Sequence, residues 1–259
     1  MVTSNSKTPP THFNGKDALN HVVEAQAQGF VSASEVHGTE TSGNLSAGGD
    51  AARETAITLL LLWVLLISFD FPFNQSIQFL LIFSVGWLFW KTGRSAWLAW
   101  FRLERLHRIL EQERWEIEHH QQQERDELRV LYAAKGFEGK LLEDVLDVLM
   151  ADNDRLLRVM IEEELGLSLA AYQHPLKQAL GATAGVLIST FLCLTLLWLL
   201  PYYGLFVGAI LTIGIASAFS AYLSQNKLVP AIVWNMGLAI LACGCTYFLY
   251  QLIQISMGK

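Results

Sequence analysis

The chain has 259 residues, 52% of them hydrophobic and only 16% charged, with a mean hydropathy of +0.32. Residues 91–178 hold 17 of the 24 acids and 13 of the 18 bases, whereas 178–259 hold only Lys227 and Lys259. That distribution excludes an ordinary water-soluble fold for the C-terminal third. The net charge of −6 says little about partners, but no basic patch is present, and a nucleic-acid partner is not expected.

Residues 1–50 are rich in Ser, Thr, Gly, Asn and His, with Pro9-Pro10 and Gly48-Gly49. They read as a mobile N-terminal tail, with room for a short helix over 16–28. No signal-peptide apolar region is present in it, so the first apolar run, 51–71, is expected to insert as a true membrane helix. Asp70, Phe71 and Pro72 mark a tight turn after it. The second apolar run, 76–90, spans only about 22 Å, short of a bilayer core of about 30 Å. It is expected to continue past Lys91 toward Trp97 and Trp100, with Lys91 and Arg94 snorkelling to the interface.

The block 101–172 is polar and helical in pattern, broken once by Gly136 and Gly139. Leu141, Leu142, Val145, Leu146, Leu149 and Met150 predict an amphipathic helix. Asp152-Asn153-Asp154 opens another as a capping cluster, ending at Gly166. Three further apolar runs follow, 178–200, 205–223 and 229–255, giving membrane helices on both sides of the polar block. The resulting organisation is a tail (1–50), membrane helices 1–2 (51–100), a carboxylate-rich helical domain (101–172) and membrane helices 3–5 (173–259). Arg53, the central block and Lys227 fall on one side of the membrane, and the Asp70 and Tyr202 turns on the other. The positive-inside rule then places the N-terminus and the polar domain in the cytosol and Lys259 outside.

The chemistry concentrates in the polar block. Glu113 and Glu116 are three apart, and Glu124 and Glu127 repeat that spacing eleven positions on. Residues three or four apart share a helix face, and eleven residues make about three turns. One continuous helix would turn these acids into a stripe; a turn near 119–123 would let two helices face each other. Clustered carboxylates suit Mg, Ca, Mn and ferrous iron, and the bland alternative is a solvated acidic face. Met160 and Glu164, one turn apart, add a thioether suited to a borderline cation such as ferrous iron, or else core filler beside a surface acid. Glu104–His107 and Glu116–His119 match the di-iron E-x-x-H pattern, but on one helix they stand about 18 Å apart and cannot share a metal pair. An enzyme is therefore not expected, nor any cofactor: no phosphate-binding loop, nucleotide fingerprint or nucleophile elbow is present. Cys193, Cys243 and Cys245 sit in apolar runs and read as buried small hydrophobes without disulfides. Gly181 and Gly185 form a GxxxG, predicting close helix packing within or between subunits. Ionisable residues along the apolar runs are nearly absent, which weighs against proton-coupled transport.

The stretch E-Q-E-R-W-E-I-E-H-H-Q-Q-Q-E-R-D-E-L-R-V-L-Y-A-A-K-G-F, running on to D-N-D-R-L-L-R-V-M-I-E-E-E-L-G-L, resembles the vacuolar iron transporter family. H-P-L-K-Q-A-L-G-A-T with L-L-P-Y-Y, and W-N-M-G-L-A-I-L-A-C-G-C-T-Y, are similar to that family's third and fifth membrane helices. The resemblance covers about 90–257. It implies an all-α fold, a five-helix transmembrane bundle with an inserted cytosolic three-helix metal-binding domain. It also implies a homodimer that moves ferrous iron, often manganese, out of the cytosol in exchange for protons. Metal ligands by this resemblance are Glu113, Glu116, Glu124, Glu127, Met160 and Glu164, with Ile161 in place of a second methionine. The membrane would be a bacterial inner membrane or a vacuole-like organelle membrane, and the expected partners are divalent metal ions, lipid and a second copy.

Two departures are plain. Where the family's first helix carries an aspartate, this chain has Leu60-Leu61-Leu62, with Glu54 as the nearest stand-in. Ungapped register puts Lys91 in place of a second-helix methionine on the ion path. At about 4 Å and an effective dielectric of about 20, a lysine repels a divalent cation by about 8 kcal/mol. Glu54 and Lys91 are accordingly the candidate path residues, and a non-transporting metal sensor, buffer or scaffold is the alternative function.

Overall fold

A computed structural model describes residues 43–163 and 174–258; the tail up to 42, and with it the 16–28 helix, lies outside the described residues. Among the described residues every regular element is an α-helix. In chain order they are α1 Gly43–Ser68, α2 Phe73–His119, α3 Gln121–Ala134, α4 Gly139–Met150, α5 Asn153–Glu163, α6 Pro175–Leu199, α7 Gly204–Leu223 and α8 Leu228–Ser256. The chain divides into two compact units, one containing 103–171 and the other 39–102 with 172–259. The boundary falls inside α2.

In the second unit, α1, α6, α7 and α8 are long and apolar enough to cross a membrane by length and composition. The expected fifth span, 76–90, is the N-terminal part of α2, which is not one of these four. Its helix runs unbroken through Trp97 and Trp100, as the short apolar run requires. The core of this unit gathers Ala56, Leu59, Leu60 and Trp63 of α1 with Leu80, Cys193, Leu197, Leu205, Ala209, Ile213 and Ala239. Trp63 closes its far end by donating its indole N–H to the Tyr202 carbonyl at 3.0 Å. Asp70 and Tyr202 both take positive φ (51° and 69°), the sharp reversals that the turn residues predicted.

The first helix begins at Gly43, inside the segment expected to be tail, rather than near Ala51. Packing accounts for the extension. A Cβ on Gly181 would stand 2.0 Å from the Asn44 carbonyl oxygen, and one on Gly185 only 2.1 Å from that of Gly48. The Gly181/Gly185 pair therefore holds α6 against the glycine-rich start of α1 within one chain. This close approach gives a polar, locally weak helix start a partner that hydropathy does not register.

In the first unit the polar block is broken at His120 (φ −131°, ψ 35°), between α2 and α3. Backbone bonding bridges the break: His120 N–H reaches Glu116 O at 2.7 Å, and Glu124 N–H reaches His120 O at 3.2 Å. Gly136 and Gly139 take positive φ (92° and 58°) and separate α3 from α4. Leu142 and Leu146 are the buried residues of α4. Asp152 caps α5, its Oδ1 accepting from the N–H groups of Asp154 (2.9 Å) and Arg155 (3.1 Å). The expected end at Gly166 lies outside the described residues. His174 caps α6 in the other unit, its Nδ1 accepting from Leu176 N–H ahead of a favourable Pro175.

Candidate metal centre

On α3 the four buried residues are Glu124, Glu127, Leu128 and Leu131. Positions 124, 127, 128 and 131 are one helical stripe, so two carboxylates share the inward face with two leucines. Arg125, Asp126 and Arg129 are only partly buried. Glu124 is 0% exposed and Glu127 1%, while Glu113 on α2 is 7% exposed. Glu116 is half-buried and accepts from Gln112 Nε2 at 3.1 Å. Met160 of α5 is fully buried, as are Ile161, Leu156 and Ile117. A solvated acidic face is therefore not what Glu113, Glu124 and Glu127 form. An ionised carboxylate is costly to bury without compensating charge or hydrogen bonds.

Glu164, the sixth member of the expected set, lies outside the described residues. Among the described residues, no three His, Cys, Asp or Glu side chains form a group arranged to hold a metal. Of the two Glu–His pairs, Glu104, His107 and His119 are exposed, and only Glu116 is half-buried. His119 instead stacks on Trp115 with ring centroids 4.6 Å apart.

Opposite charges, unanticipated in the sequence, tie α3 to α4. Arg125 pairs with Glu143 (2.9 Å) and Asp147 (2.6 Å), and Arg129 with Glu143 (3.1 Å) and Asp126 (3.0 Å). Matched i,i+4 spacing, Arg125/Arg129 against Glu143/Asp147, was the available signal. Hydrogen bonding from Arg125 holds the Glu143 carboxyl below its usual range, with Arg129 adding to it. Backbone N–H groups of Arg155 and Asp154 do the same for Asp152.

In the membrane unit the two candidate path residues meet. Lys91 does not snorkel: it is 5% exposed and its ammonium donates to Glu54 Oε2. Burial next to an acid on α1 wins over interfacial escape because the ammonium gains a charged acceptor there. Arg94, by contrast, is exposed. Trp87, one turn before Lys91, donates its indole N–H to Thr55 Oγ1 at 3.0 Å. Thr92 and Thr183 hydroxyls pair at 2.8 Å, and Ser95 donates to the Gln178 carbonyl at 3.3 Å, both joining α2 to α6. Leu60 is core, and Leu61 and Leu62 are half-buried, so that part of α1 offers packing rather than a ligand. Cys193 is buried and Cys243 half-buried, but Cys245 is exposed, because α8 buries only Ala239.

No curated protein matches the chain. A family model described as the VIT family matches residues 102–251, from the polar end of α2 to the last turns of α8. The match takes in the buried carboxylates, Met160 and the three C-terminal apolar helices, and leaves out α1 and the Lys91 region. It covers more than half of the chain, which therefore belongs to the VIT family and is an integral membrane protein of a metal-transporting family.

Proposed function

We propose that this protein moves ferrous iron or manganese out of the cytosol, as a homodimer and in exchange for protons. The observation that carries the reading is the burial of Glu113, Glu124 and Glu127 in the same helical unit as the buried thioether of Met160. Carboxylates supply the hard donor oxygens, and a thioether tilts such a set toward borderline cations over magnesium or calcium. Glu116 and Glu164 complete the proposed ligand set. In this reading the apolar part of α2 is a fifth membrane span, with Lys91, Arg94 and the Trp97/Trp100 pair at its inner end. The polar unit faces the cytosol, collects the cation and passes it to the membrane helices.

The Lys91–Glu54 pair favours a second reading, a membrane-anchored sensor, buffer or scaffold that binds metal without moving it. Reconstituted full-length protein discriminates them. Uptake of Fe2+ or Mn2+ above empty liposomes, increased by an opposing proton gradient, is expected. Metal binding without uptake establishes the sensor, and absence of both removes the metal assignment.

A further inference from the structure

Among the described charged residues of the membrane unit, all are exposed or half-buried, with one exception. Lys91 is 5% exposed, a rare state for a lysine that needs a partner. Its partner is Glu54, on the neighbouring helix. The Trp87 ring lies 6.0 Å from the same ammonium, within the range of cation–π attraction. Trp87 is itself fixed by its hydrogen bond to Thr55, the residue after Glu54. Arg53, the neighbouring base on α1, is paired with Asp50. The two helices are thus joined at adjacent levels, one indole to hydroxyl and one ammonium to carboxylate.

Glu54 differs from Lys91 in one respect that matters for ligands: its side chain is 47% exposed. A carboxylate that remains reachable is an oxygen ligand for a hard cation. Here the chain already supplies the cation, on a tether, with an aromatic face behind it. We propose that Lys91 is the resident counter-cation of Glu54 and keeps divalent metal off that carboxylate. Lys91 is then a specificity-determining residue for cation entry at this end of the membrane unit. Its role in entry rests on the transport reading above; the competition between ammonium and metal for Glu54 does not.

The test is the number of Mn2+ ions bound per chain by purified full-length protein, read from the loss of the free Mn2+ electron paramagnetic resonance signal. Lys91→Met keeps an unbranched, similarly sized side chain without the charge. It is expected to bind one more Mn2+ per chain than wild type, and Lys91→Met with Glu54→Gln to return to the wild-type number. Lys91→Gln, neutral and polar, is expected to gain the same ion. Neutral variants that bind only the wild-type number overturn the proposal, as does an extra ion that survives Glu54→Gln. If neither neutral variant is monodisperse, the pair is a structural pin and the proposal falls. Proteoliposome uptake by the same proteins separates the two readings. An extra ion without flux in any of them keeps the inference and removes transport. Flux in the wild type without an extra ion in Lys91→Met does the reverse.

Discussion

Gly185→Ala is expected to weaken the membrane unit, although alanine is the better helix former by about 1 kcal/mol. The new Cβ would lie 2.1 Å from the Gly48 carbonyl oxygen, 3.0 Å from its carbon and 3.1 Å from the Ala52 nitrogen. Ordinary nonbonded separations are about 3.5 Å, so α1 and α6 must part by roughly 1.4 Å at this level. All three obstructing atoms are backbone, and none can rotate away. Overpacking of this kind costs about 1–3 kcal/mol, with rigid surroundings at the upper end. Subtracting the propensity gain leaves a net loss of about 2 kcal/mol. The control is Gly244→Ala on α8, where a Cβ meets nothing within 4 Å and only the propensity gain remains. Melting of the detergent-solubilised protein, followed by size-exclusion of heated samples, should place Gly185→Ala below wild type and Gly244→Ala at or above it. A Gly185→Ala protein that melts with or above Gly244→Ala would refute the close crossing of α1 and α6.

Glu124→Gln and Glu127→Gln should each lower Mn2+ affinity at least tenfold if these buried carboxylates ligate the cation. The readout is metal-induced stabilisation, worth about 2.7 kcal/mol at a hundredfold excess over the wild-type Kd; a tenfold weaker variant should lose about half of it at that concentration. Full retention of the shift in both would remove α3 from the site. Glu143 has a carboxyl pKa depressed by Arg125 and Arg129, so its stabilising effect is present above the unfolded value, about 4.3, and is lost as pH falls through the folded one. Acid unfolding of Glu143→Gln should therefore start from a lower neutral-pH stability and show a shallower decline below about pH 4.3 than wild type. Superimposable profiles would show that the α3–α4 ion pairs add nothing.

Much of the secondary structure was legible because membrane helices announce themselves by apolar length and turns by Asp70, Pro72 and Gly136. The α5 cap was equally legible, since Asp152 acts on N–H groups two and three residues away. Local chemistry of this kind needs no distant partner. The Glu113/Glu116 and Glu124/Glu127 spacing marked candidate ligands, but two burial states were compatible with it. A helix pattern shows which residues share a face, and only the neighbours of that face decide whether it is wet.

The sequence by itself determined an all-helical membrane protein with a polar, acid-rich helical insert, because chain hydropathy and i,i+3 spacing are properties of consecutive residues. Tertiary structure alone decided three things. It buried Glu113, Glu124 and Glu127. It extended α1 back to Gly43 through a glycine crossing with a helix well over a hundred residues away. It also brought Lys91 onto Glu54, 37 positions apart. Each depends on which surfaces meet across the fold. The energies involved, desolvation of a carboxylate, clash of a Cβ and pairing of an ammonium, exist only once those surfaces are in contact.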